Sequence, residues 1–316
     1  MMPNGASAAS PAGTRTSSLP VYLAGPREAI AVVIPSYRRG RILIRTVANL
    51  ASLAAPPREI LVVDQTEHHD AETERGLADA AGRGIFRWLR LAEPSIPIAM
   101  NHGLREATQP LVLFLDDDIE PGVSLVEAHV RAHAAAAHAI VAGRVIQPWH
   151  ADGGTPMTGF AGTTAGLRDE FMGGNFSVRR DWAMRLGGFD ERFVRVAYRF
   201  EAEFAARTRH AGGTIWFEPS AVVHHLKAES GGTRTFGDHL RTAWPAHAVG
   251  EYYYLLRARP PRWRRHLLAR PWRSVATRHH MTRPWWIVPT LMAETLGLAW
   301  AISLWARGPK LLRSEA

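Results

Sequence analysis

Three adjacent carboxylates, Asp116, Asp117 and Asp118, follow directly after the apolar run Leu111–Leu115. Repulsion and desolvation both disfavour such a cluster unless a cation neutralises it. Mg²⁺ typically binds one or two protein carboxylates, while water and phosphate oxygens fill its other positions. The alternative is an acidic turn that opens a helix after Pro121, where carboxylates interact favourably with the helix dipole. The three residues alone leave both interpretations open.

Apolar strands and helical repeats alternate around this cluster. β-Branched runs at 29–35 and 59–64 are typical of buried parallel strands, as is the run before the carboxylates. Between the first two, apolar residues recur at helical spacing over 43–54. We predict further helices over 71–81, 99–108, 124–137, 179–186 and 199–210, further strands over 85–91, 139–146, 214–217 and 221–224, and a long loop over 147–170. The alternation predicts an α/β fold with a doubly wound, mostly parallel sheet.

Ligands of such sheets bind beyond the carboxyl ends of the strands. Asp64 and Asp116–Asp118 both lie at predicted strand ends. We therefore expect them to border a common crevice.

Composition limits the available chemistry. The chain of 316 residues contains no cysteine, which excludes disulfides and thiolate catalysis. Catalysis must then depend on carboxylates, histidines, hydroxyls or a metal ion. Residues 1–28 are rich in Ala, Ser, Gly, Thr and Pro and lack the apolar core of a secretory signal, so we predict a disordered lead-in.

The net charge of +9 comes from one segment. Nine of the 38 basic residues are arginines within Arg257–Arg283, a segment without acidic residues, and the remaining 29 balance the 29 acidic residues. This distribution favours a local anionic partner over a generally basic surface.

Six motifs occur in an order that resembles family 2 glycosyltransferases. They are "VVIPSYRR" (32–39), "EILVVDQT" (59–66), "LFLDDDIEP" (113–121), "FMGGNFSVRRDWAMRLGGFDERF" (171–193), "EAEFAARTRHAGG" (201–213) and "PSAVVHH" (219–225). The resemblance implies an inverting sugar-nucleotide transferase with a Rossmann-like type A fold. It spans a catalytic domain at 29–235 and leaves 236–316 as a basic, aromatic and apolar helical region.

The resemblance also implies where the sugar donor binds. The residues that match the nucleoside pocket are Pro35, Ser36, Tyr37 and Asp64, the last with its carboxylate available to the base. Asp116 and Asp118 match the outer residues of the family's Asp-x-Asp motif and are expected to hold Mg²⁺ or Mn²⁺, with Asp118 as the first choice for the ion. Asp116 and Asp117 are also expected to contact the donor.

Further donor and acceptor contacts are implied around two short motifs. Gly173, Gly174 and Asn175 match the stretch that borders donor sugar and acceptor, where the absence of a side chain lets the backbone approach a ligand closely. Asn101 is also expected to bind substrate. Met100 before it replaces an arginine found in many relatives, which removes one phosphate contact.

Two glutamates compete for the role of general base. Glu201 aligns with the family's base, which must lie within hydrogen-bond reach of the acceptor hydroxyl, although a carboxylate favoured by the helix dipole is an alternative explanation. Glu203 is the rival, but an ion pair with Arg207 four residues later also explains it. This chain has Phe200 where relatives often have an acidic residue next to the base. Of the two glutamates, we favour Glu201 as the general base.

His225 matches a histidine that reaches the metal or the diphosphate in relatives, and a structural role is the alternative. His224 next to it would face the opposite way in a strand. The following segment 228–234 ends in Arg234, and we hypothesise that it folds over the departing diphosphate as a lid.

The segment 285–306 is long enough to cross a bilayer, which takes about 20 residues, and its only charge is Glu294. Pro289 and the carboxylate disfavour a span, so interfacial binding and packing on the catalytic domain are alternatives. Arginines and tryptophans before it suit anionic headgroups. We therefore expect a cytoplasmic enzyme, peripheral at the inner face of the plasma membrane, with a glycan or lipid-linked acceptor.

Three other interpretations remain. A nucleotidyltransferase shares the nucleotide-binding half of this fold, but "IPSYRRG" (34–40) does not supply its glycine-rich phosphate loop. The arginine- and aromatic-rich tail is compatible with single-stranded nucleic acid, yet the apolar segment after it favours a membrane, so no nucleic acid is expected. The third is an inactive relative that acts as a scaffold.

Overall fold

A nine-stranded sheet organises the part of the chain that the computed structural model describes, which is residues 27–151, 157–236 and 240–313. The strands are β1 (Glu28–Ser36), β2 (Pro57–Asp64), β3 (Arg87–Arg90), β4 (Leu111–Leu115), β5 (Ile119–Pro121), β6 (Ile140–Ile146), β7 (Gly166–Arg168), β8 (Asn175–Arg179) and β9 (Ile215–His225). Their order in the sheet is β3-β2-β1-β4-β8-β6-β9-β5, and β7 pairs with β9.

Most strands run in one direction. β1 is parallel to β2 and β4, β2 to β3, and β6 to β9. Because β8 is antiparallel to both β4 and β6, the β6–β9 pair has the same direction as the first four strands. Only the short β5 and β7 and the central β8 oppose them. The predicted doubly wound, mostly parallel α/β fold is confirmed.

Helices cover both faces of the sheet. They are α1 (Arg41–Ala51), α2 (Ala71–Gly82), α3 (Ile96–Glu106), α4 (Leu125–Ala135), α5 (Pro148–Ala151), α6 (Arg180–Arg185), α7 (Phe200–His210), α8 (Ala248–Ala258), α9 (Trp263–Val275), α10 (Arg278–Thr282) and α11 (Ile287–Ala306). Alternate residues of β1 enter different cores, Ala31 and Val33 on one face and Val32 and Ile34 on the other. This is the period of two expected of a strand buried on both sides.

The two strands predicted over 214–217 and 221–224 form a single strand, β9. Its register with β6 jumps from Gly143 opposite Glu218 to Arg144 opposite Val222. Pro219 lies in the unmatched stretch and has no N–H with which to join the ladder. The sequence pattern of two strands therefore reflects one strand interrupted by a bulge.

Short strands account for the other differences. β5 and β8 were not predicted, because β5 has three residues and β8 follows two glycines within a motif attributed to ligand binding. The predicted loop over 147–170 contains α5, a 3₁₀ turn at Gly159–Ala161 and β7. Residues 152–156 of that loop, and residues 1–26 of the predicted lead-in, lie outside the described residues.

The C-terminal helices join the core of the sheet. Tyr252 and Tyr253 of α8 are fully buried and belong to the same apolar cluster as Val33 and Phe114. The hydroxyl of Tyr253 donates to Asp190 Oδ2 at 2.7 Å. The predicted boundary at residue 235 thus separates two stretches of sequence that share one core.

Helix α11 has two unlike faces. Its small residues Ala293 and Ala301 are buried on the side that packs against α8, and Glu294 beside them pairs with Arg270 of α9 at 2.9 Å. On the opposite side Val288 and Met292 are exposed. Among the described residues, this is the one helix that is long and apolar enough to cross a membrane, with bounds of Pro284–Ala306 by that measure. About a third of its apolar 18-residue window is buried within the protein.

Candidate active site

A cleft of about 330 Å³ opens at the edge of the sheet where the parallel strands end. The loop after β1, the acidic run after β4, the turn before β8, the first turn of α7 and the end of β9 all border it. The residues of these elements that line the cleft are Pro35, Ser36, Tyr37, Arg39, Asp116, Asp117, Asp118, Gly173, Gly174, Glu201 and His225. The topology therefore brings the acidic run and Glu201 together, as expected of a doubly wound sheet.

Asp116, Asp118 and His225 form a compact group of ligand atoms. One oxygen or nitrogen from each lies within 4.8 Å of the others. His225 Nε2 is 3.1 Å from Asp118 Oδ1, and its Nδ1 is 2.8 Å from the Gln147 side-chain oxygen, which fixes the ring. His224 points away and is exposed. Two carboxylates and an imidazole are a donor set that suits Mg²⁺ or Mn²⁺, so the residues fit a divalent cation.

The outer carboxylates of the acidic run differ in their electrostatics. Burial raises the pKa of Asp116, because its charged form loses water. Burial acts in the same direction on Asp118, but His225 and Arg39, together with the Ala228 N–H, outweigh it and lower its pKa. Asp118 is therefore the carboxylate of the pair that stays ionised most readily, which agrees with its choice as a cation ligand.

The middle carboxylate, Asp117, faces a different set of partners. Arg39 Nε donates to its Oδ1 at 2.9 Å, and the Ser36 hydroxyl donates to its Oδ2 at 2.9 Å. Thr46 additionally donates to the Asp117 carbonyl. The side chain of Arg39 is only 7 % exposed and also reaches Asp118 at 3.3 Å. Asp117 thus ties the acidic run to the loop after β1.

Gly174 makes room for Asp116. A Cβ at this position would lie 2.1 Å from Asp116 Oδ2, a distance at which the carboxylate would have to move. The Gly174 carbonyl also accepts the Asp116 N–H at 3.3 Å. A glycine is therefore required here for the close approach of the turn before β8 to the acidic run.

Helix α7 separates the two candidate bases. Glu201 lines the cleft, and burial raises its pKa to about 7. Glu203, two residues later, points to the other side of the helix and is 2 % exposed. Arg207 Nε donates to both of its carboxylate oxygens, at 2.8 and 2.9 Å. The ion pair expected from their spacing is present, and of the two glutamates only Glu201 lines the cleft.

Asn175 is held inside the protein by a chain of hydrogen bonds. Its Nδ2 donates to the carbonyls of Arg144 and Ala221, so its Oδ1 accepts from His129 Nε2 at 2.9 Å. This leaves His129 Nδ1 to accept from the Ser177 hydroxyl at 2.8 Å. Asn175 is fully buried and does not line the cleft, and its hydrogen bonds hold the turn that carries Gly174.

Asp64 and Asn101 are likewise buried away from the cleft lining. Asp64 accepts from the Thr66 N–H and the Trp88 indole and lies 2.6 Å from His69 Nε2. The Asn101 side chain bonds to the Phe189 backbone and to Glu191. Both side chains thus hydrogen-bond within the fold, and neither belongs to the lining of the cleft.

The segment proposed as a lid touches the loop after β1. The Gly232 N–H donates to the Tyr37 carbonyl at 2.8 Å, and Arg39 Nη1 donates to the Ser230 carbonyl. The backbone of Arg234 lies in a 3₁₀ turn, Gly232–Phe236, and its side chain lies outside the described part of the chain.

Three residues that line the cleft were not predicted as site residues from the sequence, namely Arg39, Arg195 and Tyr198. A signal for Arg39 existed, since it follows the strand next to the one that carries the acidic run, and opposite charges at adjacent strand ends attract. Arg195 and Tyr198 lie in an irregular segment before α7, which has no helical or strand periodicity.

The doubly wound sheet with an acidic cluster at its strand ends is the fold of type A glycosyltransferases. The chain belongs to the family described as Glycosyl transferase family 2, whose model matches residues 31–190. The family that the motifs indicated is therefore confirmed.

Known proteins similar to the chain agree with this assignment. Validoxylamine A glucosyltransferase of Streptomyces hygroscopicus subsp. limoneus is 30% identical over 114 residues, which are 35% of this chain and 25% of that protein. The chain thus spans about a quarter of the length of this curated relative.

Two solved structures share the fold. The mannosyltransferase PcManGT from Pyrobaculum calidifontis, in complex with GDP-Man and Mn²⁺, superposes with a TM-score of 0.54 and 20% identity over 92% of this chain and 82% of that one. GalNAc-T7 with UDP, GalNAc and Mn²⁺ superposes with a TM-score of 0.51 and 16% identity over 62% of this chain and 42% of that one. These likenesses concern the fold.

Proposed function

We propose that the chain transfers a sugar from a nucleoside-diphosphate sugar to an acceptor hydroxyl with inversion at the anomeric carbon. The observation that carries the proposal is one cleft that contains both Glu201, with a pKa raised to about 7, and the ligand group Asp116, Asp118 and His225. A base and a diphosphate site on the same cleft are what direct displacement needs.

Asp116, Asp118 and His225 are the residues that would hold a divalent cation, Mg²⁺ or Mn²⁺. When bound, such a cation offsets the negative charge that develops on a departing diphosphate. Two proteins with the same fold contain Mn²⁺ together with GDP-Man or UDP in their structures, which supports the same requirement here.

The protein's own groups perform the displacement. Glu201 accepts the proton of the acceptor hydroxyl while that oxygen bonds to the anomeric carbon and the bond to the nucleoside diphosphate breaks. Attack opposite the leaving group inverts the anomeric centre. Pro35, Ser36 and Tyr37 line the part of the cleft assigned to the nucleoside, and the absence of side chains at Gly173 and Gly174 lets the donor approach the backbone.

We also infer that the enzyme works at an anionic membrane surface, at the cytoplasmic side of the plasma membrane, in cell-envelope polysaccharide or glycolipid synthesis. Exposed apolar side chains lie on the C-terminal helices together with exposed arginines. The apolar set is Leu268, Trp272, Met281, Trp285, Val288 and Met292, and the basic set is Arg264, Arg265, Arg273, Arg278 and Arg283. Tryptophan beside arginine suits a headgroup region.

Thermal-shift measurements with nucleoside diphosphates, with and without Mn²⁺, test the proposal. One diphosphate should stabilise the protein only when the ion is present. Asp118→Ala should remove this dependence on the ion. Glu201→Gln should abolish transfer while donor binding persists, whereas Glu203→Gln should retain turnover if it folds.

Two results would contradict the proposal. Release of pyrophosphate from a nucleoside triphosphate would identify a nucleotidyltransferase. Nucleotide binding without any transfer or donor hydrolysis would identify a scaffold.

A further inference from the structure

A second cavity, of about 700 Å³, adjoins the cleft on the side of the C-terminal helices. Val196 and Tyr198 belong to the lining of both spaces, so one short segment forms their common wall. The remainder of the second cavity is lined mainly by α8, α9 and α11. An extended ligand that enters it can therefore reach the cleft that contains Glu201.

The common wall has an unusual backbone. Arg195, Ala197 and Arg199 all have positive φ, at 62°, 52° and 71°, which costs free energy for residues with a Cβ. Gly250 of α8 permits this conformation, because a Cβ there would lie 2.4 Å from the Tyr198 carbonyl oxygen. Strain of this kind is typical of segments that are held for function.

The second cavity carries an excess of positive charge. Two of its three arginines have carboxylate partners in the lining, since Arg199 pairs with Glu251 at 3.1 Å and Arg270 with Glu294 at 2.9 Å. Arg273 has no carboxylate partner within the described ranges. His247 and His266 also belong to the lining. A ligand that places an anionic group near Arg273 would be stabilised there.

Aromatic groups complete the recognition surface. Trp244 is 52 % exposed and Tyr198 is 41 % exposed, and both line the second cavity. Partly exposed aromatic rings pack well against the apolar faces of sugars. The lining thus combines a basic residue on α9 with two aromatic rings, one of which, Tyr198, also borders the cleft.

We propose that the second cavity is the acceptor site and that it selects acceptors carrying a phosphate group, which Arg273 binds while the acceptor hydroxyl reaches Glu201 past Val196 and Tyr198. This inference rests on the proposed transferase function and specifies its acceptor. The phosphate can belong to a soluble sugar phosphate or to a lipid headgroup. The shared chemistry is a phosphate ester attached to a sugar.

Binding of two probes tests the inference, with the cleft first saturated by Mn²⁺ and the nucleoside diphosphate that stabilises the protein. The probes are glucose 1-phosphate and the phosphodiester of glucose with decanol, measured by calorimetry against neutral decyl glucoside. Arg273→Glu should weaken both phosphate probes at least tenfold and leave decyl glucoside within twofold. Tighter binding of the decyl phosphodiester than of glucose 1-phosphate would assign the phosphate to a lipid.

Matched variants distinguish phosphate binding in the second cavity from attraction by the general positive charge of the surface. Arg105→Glu makes the same charge change at an exposed arginine of α3, outside the cavity lining and outside the basic C-terminal set, and should change phosphate binding less than twofold. Ser274→Phe fills the cavity without changing charge and should weaken all three probes.

Equal losses in Arg273→Glu and Arg105→Glu, or wild-type binding in Arg273→Glu and Ser274→Phe, would overturn the acceptor site. The Mn²⁺-dependent stabilisation by the diphosphate shows in every variant that the cleft is intact. Its absence in the wild-type protein would instead refute the proposed function.

Discussion

Arg39 lies 2.9 Å from Asp117, with both side chains almost completely buried, so a guanidinium neutralises the middle of the acidic run. Arg39→Ala would leave two buried carboxylates without this partner. Removing one member of a buried pair typically costs about 3–5 kcal/mol. We expect a loss of that order in the free energy of unfolding, measured by urea denaturation. Arg41→Ala, which breaks an exposed pair with Glu72, is the control and should leave stability near that of the wild type. An equal effect of both substitutions would contradict a special role for Arg39.

Gly174→Ala should damage the cation site without unfolding the protein. The new methyl group would lie 2.1 Å from Asp116 Oδ2 and would force the carboxylate out of the group that it forms with Asp118 and His225. We expect the Mn²⁺ concentration that half-saturates diphosphate binding to rise at least tenfold. Gly82→Ala adds a methyl group with no neighbour within 4 Å and should leave this concentration unchanged. Normal Mn²⁺ dependence in Gly174→Ala would show that Asp116 is not a ligand.

The rate of transfer should rise with pH as Glu201 ionises. Burial raises the pKa of this carboxyl to about 7, and only the ionised form can accept the acceptor proton. We therefore expect kcat/KM to increase about tenfold per pH unit below about 7 and to level off above it. Glu201→Asp should keep a rise of this kind with lower activity. A profile that is flat from pH ~5.5 to ~8 in a folded, saturable enzyme would exclude Glu201 as the base.

The ends of the main parallel strands could be predicted from the sequence, and the position of the cleft follows from them. Continuous apolar runs such as Leu111–Leu115 are easily recognised as strands, because a strand buried on both faces is apolar at nearly every position. The acidic run could then be placed at that edge from topology alone, whereas Glu201 was assigned through the resemblance to the family. His225 was also brought to this edge by the parallel direction of β9.

The direction in which individual side chains point could not be predicted from the sequence. Asp117 and Asn175 belong to motifs that border the cleft, yet their side chains bond to partners that are distant in sequence, Arg39 and His129. Such partners are determined by tertiary packing. The strained segment before α7 was missed for a related reason, since its positive φ values depend on α8 and not on local residue preference.

Membrane association predicts a specific effect of the exposed tryptophans. Trp272 of α9 is 77 % exposed and Trp285, just before α11, is 66 % exposed. Changing both to serine removes aromatic groups that favour the headgroup region. We expect at least a tenfold loss of co-sedimentation with vesicles rich in phosphatidylglycerol. Leu167→Ser, at an exposed apolar residue of β7, is the control and should have no effect. Retention of vesicle binding by the double variant would place the contact elsewhere.

Acid should destabilise the protein through two buried histidines near the cleft. Burial lowers the pKa of His129 to about 4 and of His133 to about 3, and both rings hydrogen-bond to the Ser177 hydroxyl. In the unfolded chain a histidine titrates near 6.5. The unfolded state therefore binds protons first as the pH falls. The contribution of these rings to the free energy of unfolding is thus fully present above about pH 6.5 and decreases as the pH falls towards about 4.

The expected slope is about 1.4 kcal/mol per pH unit for each histidine within that window. His133→Gln keeps a side-chain N–H near Ser177 but does not titrate. The slope of the unfolding free energy against pH, measured by urea denaturation from pH ~6.5 to ~4.5, should therefore fall by about 1.4 kcal/mol per pH unit relative to the wild type. Glu201, whose pKa is raised, changes the slope in the opposite sense equally in both proteins, so the difference reports His133. An unaltered slope in His133→Gln would mean that the folded protein binds a proton at His133 as readily as the unfolded chain. In that case the hydrogen-bond chain that ends at Asn175, and with it the turn that carries Gly174, would tolerate a protonated histidine.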